Sequence, residues 1–299
     1  SLGLVSMGYA WERLDIDVDK LVTNAEVMMR EEKKKYYKNL KRGHHEPIIK
    51  QDLLEDIKHG NFIVCLVPKM DVQTEMIAGA EAVVRYHHKD LGIVNPGKYI
   101  NLLEETKLSH YLDLYVFEEV CKTLHRWELE GIPMIPVAVN FAGATLRQES
   151  VADKMMKIID KYHVRCEYLE VEVSESGNDM NQEMLAETSG KIRKANVRVI
   201  LDHFGAKDSS FSILSLMEFD ALKLDKSLIT NIVGNSRSRI VAQAVIEICR
   251  QLGASVEASG VETQDQLNVL GELGCDHVQG ELFNKPITIE TFEVRYLKG

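Results

Sequence analysis

The chain has 299 residues, 45% of them hydrophobic, and a formal net charge of -10, enough for one full-sized domain such as a barrel of roughly 250 residues. The acidic balance argues against a nucleic-acid duplex or an anionic membrane as a general partner. No apolar run approaches the roughly 20 residues that cross a bilayer, and no signal peptide is visible. The five cysteines (Cys65, Cys121, Cys166, Cys249, Cys275) lack CxxC spacing, which fits a reduced, cytoplasmic chain.

Taken in chain order, Ser1 to Met7 reads as a strand and Val18 to Lys41 as a helix. The helix ends in the charged stretch REEKKKYYKNLKRGHHE, a solvated connector containing His44 and His45. The expected division is therefore a segment 1–45 followed by a domain 46–299. From Asn61 the pattern becomes regular, with strands at NFIVCLVP, MIAGAEAVVRY, VAVNF, YLEVEVS, RVILDHF, ALKLD, SVEAS and HVQGELF. Helical patterns lie between most of them: YLDLYVFEEVCKTLHRWELEG, VADKMMKIIDKYH, EMLAETSGKIRKAN, SRIVAQAVIEICRQLG and TQDQLNVLGELG. Gly131, Gly253 and Gly274 follow three of these and suit left-handed caps. His87 and His88, just past the second strand, read as a solvated loop.

Strands alternating with helices imply a parallel sheet, which closes into a barrel at this length. Only KMDVQTE separates the first two strands. That is too short for a helical crossover, so they should be antiparallel. The expected fold is α/β, a modified (β/α)8 TIM-like barrel with an antiparallel first strand.

Five polar residues stand at or near the ends of these apolar runs: Glu81, Asn140, Glu172, Asp202 and Lys223. Parallel strands of a barrel end on one face, so three carboxylates, an amide and an ammonium should converge at one rim. Oxygen ligands of this kind suit Mg²⁺ or Mn²⁺, and a cation beside a lysine suits a phosphate ester.

These residues fall in motifs. From about Glu46 to Phe292 the chain resembles the EAL domain family, bacterial proteins that hydrolyse cyclic di-GMP. The eponymous motif is Glu81-Ala82-Val83, with Val in place of Leu, followed by Val84-Arg85. AVNF, VEVSES, LDHFG, LKLDKS, SGVET and QGELFNKP resemble the family's later motifs in the same order. The resemblance implies that Glu81, Asn140, Glu172 and Asp202 hold a first metal ion. It implies that Lys223 orients water or phosphate, that Glu175 anchors the loop after Asp202, and that Arg85 and Gln279 contact the ligand. The segment 1–45 resembles the closing strand and helix of a GGDEF domain, without the GGDEF signature.

The chain also departs from that pattern. His203 stands where the family has a second Asp, and Ser259 where it has the Glu of EGVET. By resemblance both positions serve a second metal ion and the activation of water. Imidazole is a poor Mg²⁺ ligand without negative charge, and a serine hydroxyl is a weak neutral one. Val67-Pro68 replaces Gln-Pro, Ala206 to Ser210 reads AKDSS in place of TGYSS, and Glu281 replaces an aromatic, so Asp208 and Glu281 should add charge beside an anionic ligand. The resulting expectation is an impaired member of the family in cyclic di-GMP signalling, holding one weakly bound Mg²⁺ or Mn²⁺. It would act as a receptor or a protein-interaction module with an unidentified protein partner or a second copy of itself. The competing expectation is a metal-dependent phosphodiesterase opening cyclic di-GMP to the linear dinucleotide.

Overall fold

A computed structural model describes residues 50–88, 92–94, 96–174, 182–206 and 211–298. The strand and helix expected before residue 50, with His44 and His45, lie outside these. Among the described residues, ten strands form one sheet: β1 (Phe62–Asp71), β2 (Ile77–His88), β3 (Gly92–Val94), β4 (Val137–Phe141), β5 (Leu169–Ser174), β6 (Arg198–Phe204), β7 (Ala221–Leu224), β8 (Ser255–Ser259), β9 (His277–Gln279) and β10 (Ile287–Thr288). Eight of them close in the order β1-β9-β8-β7-β6-β5-β4-β2 and back to β1, while β3 extends from β2 and β10 from β1. Strand β1 is antiparallel to both its barrel neighbours, and the remaining seams of the barrel are parallel. This is the expected modified barrel.

The reversal at β1 has a local cause. Oδ1 of Asp71 accepts the backbone N–H of Gln73 at 3.0 Å and of Thr74 at 2.8 Å, and the Thr74 hydroxyl at 2.8 Å. An aspartate bonded to its own following backbone makes a tight turn. Lys69, Met70 and Asp71 thus belong to β1, and the connection is shorter than the seven residues expected.

Helices cover the outside: α1 (Lys50–Lys58), α2 (Pro96–Glu105), α3 (Ser109–Glu130), α4 (Val151–Tyr162), α5 (Gln182–Lys194), α6 (Ser236–Leu252) and α7 (Gln264–Leu273). In α3, Leu112, Val116, Val120, Leu124 and Trp127 are all buried, a stripe at helical spacing that faces the barrel. Gly131, Gly253 and Gly274 take φ of 67°, 75° and 81°, as the sequence suggests. His163 ends α4 in the same left-handed conformation at φ 53° without being glycine.

Helices α1 and α2 form where the sequence shows no helical pattern. Two expectations need correction. His87 and His88 are not a solvated loop: β2 runs on through them and pairs with β3, leaving His88 buried. The run HVQGELF is a strand only as far as Gln279. A Cβ on Gly280 would lie 2.1 Å from the Val261 carbonyl oxygen, so the chain passes that backbone too closely for the strand to go on with an ordinary side chain.

The barrel interior carries charge as well as Ala138, Ile200 and Ala221, which are fully buried. Lys69 Nζ donates to Glu170 Oε2 at 2.7 Å and Glu257 Oε1 at 2.6 Å, and Arg198 donates to Glu170 Oε1 at 2.6 Å. Glu170 lies two residues before Glu172 on β5, so both face inward. At the C-terminal end, buried Glu293 ties the last turn to α3, accepting from Arg126, from Trp127 Nε1 at 2.8 Å and from Lys298 at 2.8 Å.

Candidate active site

The residues expected at one rim do meet there. Glu81 on β2, Asn140 on β4, Glu172 on β5, Asp202 on β6 and Lys223 on β7 line one cavity of about 600 Å³, with Arg85, His203, Ser259 and Gln279. The register explains the convergence: Asn140 pairs with Glu172 and Ser174 with Asp202 across parallel seams, and Ser259 pairs with Gln279. A cavity of this size suits a small ligand. Glu175 and the loop residue Asp208 lie outside the described residues.

Lys223 is the hub. Its ammonium donates to Glu172 Oε1 at 2.6 Å and Glu81 Oε2 at 2.8 Å. Glu81 also accepts from Asn140 Nδ2 at 2.7 Å and from Gln279 Nε2. Burial alone would raise the Glu81 carboxyl, but Lys223 and these amides bring it down to about 2. Glu172 goes the other way: burial and the charge of Glu81 hold it well above the usual carboxylate range, despite Lys223. Burial disfavours the Lys223 ammonium, yet Glu172, Glu81, Asp202 and Glu257 outweigh it and keep Lys223 charged far above its ordinary range.

These residues fit a divalent cation, although they do not form a finished cage. Glu172 Oε2 is buried without a hydrogen-bond partner, so it is an oxygen with coordination left to offer a cation. Among the described residues, the carboxylates of Glu81, Glu172 and Asp202 all act on the Lys223 ammonium. Among the described residues, however, no three His, Cys, Asp or Glu side chains are already grouped as a metal site. Lys223 lies between two of the expected ligands, and Asn140 turns its nitrogen rather than its oxygen toward Glu81.

The two departures have distinct geometries. His203 is a non-glycine residue at φ 59°, a conformation that His, like Asp and Asn, adopts more readily than most residues. Its ring is about half exposed, with Nδ1 3.2 Å from Asp225 Oδ2 and Nε2 3.4 Å from Asp202 Oδ2. Ser259 Oγ donates to the Leu224 carbonyl at 3.0 Å, so this hydroxyl is tied back to β7. Two residues beyond His203, Gly205 has φ 93°, and a Cβ there would meet Leu228 at 2.2 Å. Glu281 corrects one expectation: it is exposed and paired with Lys285 at 3.3 Å, not among the residues lining the cavity.

Sequence reasoning missed Asp113, which lines the same cavity from α3. The available signal was an acid inside the apolar stripe LDLYVF.

A family model described as the EAL domain matches residues 50–286. The chain belongs to the EAL domain family. It is 30% identical over 298 residues to the signaling protein YkoW of Bacillus subtilis, covering 97% of this chain and 37% of that protein. It is 33% identical over 213 residues to the cyclic di-GMP phosphodiesterase NbdA of Pseudomonas aeruginosa, covering 71% of this chain and 27% of that protein. The chain thus spans well under half the length of these relatives. The solved structure of the PaMucR phosphodiesterase in complex with c-di-GMP superposes with a TM-score of 0.75 at 25% identity, covering 81% of this chain and 98% of that one. No helix among the described residues is long and apolar enough to cross a membrane.

Proposed function

We propose that this EAL domain binds cyclic di-GMP but hydrolyses it poorly, acting in bacterial cyclic di-GMP signalling as a receptor or a ligand-governed contact module. The observation that carries the impairment is the pair His203 and Ser259. One presents an exposed imidazole between Asp202 and Asp225, the other a hydroxyl spent on a backbone carbonyl. Where the family pattern has two carboxylates, neither residue offers one.

Glu81, Asn140, Glu172 and Asp202 are the residues that would hold one Mg²⁺ or Mn²⁺, weakly. Bound there, a divalent ion would polarise a phosphoryl oxygen and lower the pKa of water. Asn140 would have to rotate its amide to offer oxygen, and Lys223 would have to share Glu81 and Glu172. Lys223, held charged, donates hydrogen bonds rather than taking protons. Arg85 and Gln279, which line the cavity, would contact the ligand, and Glu175 would anchor the loop after Asp202.

Residues 1–45 are read as the end of a GGDEF-like domain leading into a barrel domain 46–299; the match to YkoW continues through the first of these segments. A protein partner or a second copy of the chain would read out the bound state, in the cytoplasm. The second reading, a metal-dependent phosphodiesterase producing the linear dinucleotide, is favoured by the partnerless Glu172 oxygen and by names such as that of NbdA. Calorimetric titration of the purified chain with cyclic di-GMP, with and without Mn²⁺, tests the receptor reading. Saturable binding supports it. No binding under either condition removes cyclic di-GMP from the account.

A further inference from the structure

Asp113 lies on α3, outside the barrel wall, yet it reaches the backbone that leaves β4. Its Oδ2 accepts the Ala142 N–H at 2.9 Å and the Thr145 hydroxyl at 2.5 Å. Ala142 opens a one-turn helix, Gly143–Leu146, with no side-chain cap of its own. The carboxylate from α3 supplies that cap across space, where helix N–H groups otherwise lack partners. Thr145 is fully buried, so its hydroxyl needs an internal acceptor. One residue earlier, the Phe141 ring meets Phe117 of α3 edge-on, with centroids 5.8 Å apart. Asn140 therefore leads into two residues that are both fastened to α3, while its own amide reaches Glu81.

We propose that Asp113 is a positioning residue, holding the end of β4 through Ala142 and Thr145 so that Asn140 meets Glu81. It thereby sets the geometry of the candidate cation site, and in this it rests on the reading of Asn140 and Glu81 as cation ligands. Burial pushes Asp113 up to about 7 against the pull of its two hydrogen bonds, with Glu104 of α2 adding to the rise, and a neutral acceptor such as Asn would fill the same positioning role without that penalty.

The test uses the full chain and three variants: Asp113→Ala, Asp113→Asn, which keeps an acceptor oxygen, and Thr145→Val. Two quantities are read: Mn²⁺ affinity by calorimetry, and the side-chain amide signal of Asn140 by NMR. Asp113→Ala should weaken Mn²⁺ by about tenfold or more, as loss of a ligand's supporting contact does, and should shift the Asn140 signal. Thr145→Val should do both to a smaller degree, and Asp113→Asn should keep the wild-type values. If Asp113→Ala only lowers the unfolding temperature while affinity and signal stay unchanged, Asp113 is a cap and the proposal fails. If Asp113→Ala does not fold, an unchanged Asn140 signal in Thr145→Val overturns it equally. If the wild type binds no Mn²⁺, the cation reading falls by itself. The Asn140 signal then still decides, and positioning stands only if it moves in Asp113→Ala and not in Asp113→Asn.

Discussion

Lys223 bonds Glu172 through one carboxylate oxygen at 2.6 Å, while the other oxygen of Glu172 is buried with no partner. One ammonium thus half-satisfies a carboxylate that burial and Glu81 already hold well above its usual range. A divalent cation held by these carboxylates would answer the same negative charge as Lys223, so the two would compete for it. In a buried cluster, removing one charge leaves the others uncompensated.

Replacing Lys223 with Met should therefore destabilise the metal-free domain by about 3–5 kcal/mol. Mn²⁺ should restore much of that, because it now meets three carboxylates without a competing ammonium. Thermal unfolding with and without Mn²⁺ checks this: the shift on adding Mn²⁺ should be larger in Lys223→Met than in the wild type. An equal or smaller shift would mean that Lys223 and the ion do not address the same groups.

Restoring the missing carboxylates should be cooperative. His203→Asp and Ser259→Glu together are expected to raise cyclic di-GMP hydrolysis by more than the product of the single effects, because residues of one site act as a unit. Initial rates of the wild type, both single variants and the double variant complete the cycle. Independent effects would contradict the proposal that these two positions limit hydrolysis together.

Asp113 gives a pH signature. Its carboxyl is raised to about 7 in the fold, against about 3.9 in an unfolded chain. The folded state therefore holds the proton more tightly, and stability falls as pH rises from about 4 through 7. Asp113→Asn has no such group, so its advantage over the wild type should grow over that interval and then level off. Urea midpoints across pH measure it, and parallel curves for the two proteins would contradict the assignment.

Glu293 behaves in the opposite sense. Burial would raise it, but Arg126, Lys298 and Trp127 bring it down to about 2. A depressed carboxyl contributes stability above its unfolded value near 4.3, and that stability is lost as pH falls through the folded value. The wild type should exceed Glu293→Gln by on the order of 3 kcal/mol at neutral pH. The gap should close between about pH 5 and pH 2, as followed by denaturant unfolding.

Much of the barrel was legible because each strand carries a short apolar run, and the polar residue near its C-terminal end has nowhere to go but the rim. Asn140, Glu172, Asp202 and Lys223 meet for that reason, while Glu81 stands midway along β2 and joins them where that strand pairs with β4. His87 and His88 were misread because a strand that continues past its apolar run into a short hairpin has no periodic signal of its own. Helix α1, KQDLLEDIK, is too short and polar to announce itself beside a charged connector. The role of Asp113 depends on a contact 29 residues away in sequence, and no local pattern encodes that. Lys223's place between two expected metal ligands is likewise a product of packing across the barrel, visible only once the strands are closed.

The most direct measurement is the rate at which the purified chain, supplied with Mn²⁺ or Mg²⁺, converts cyclic di-GMP to the linear dinucleotide. With His203 and Ser259 in place of two carboxylates, product should form at the background rate even when ligand binding is saturated. Turnover comparable to that of the PaMucR phosphodiesterase assayed alongside would contradict the account.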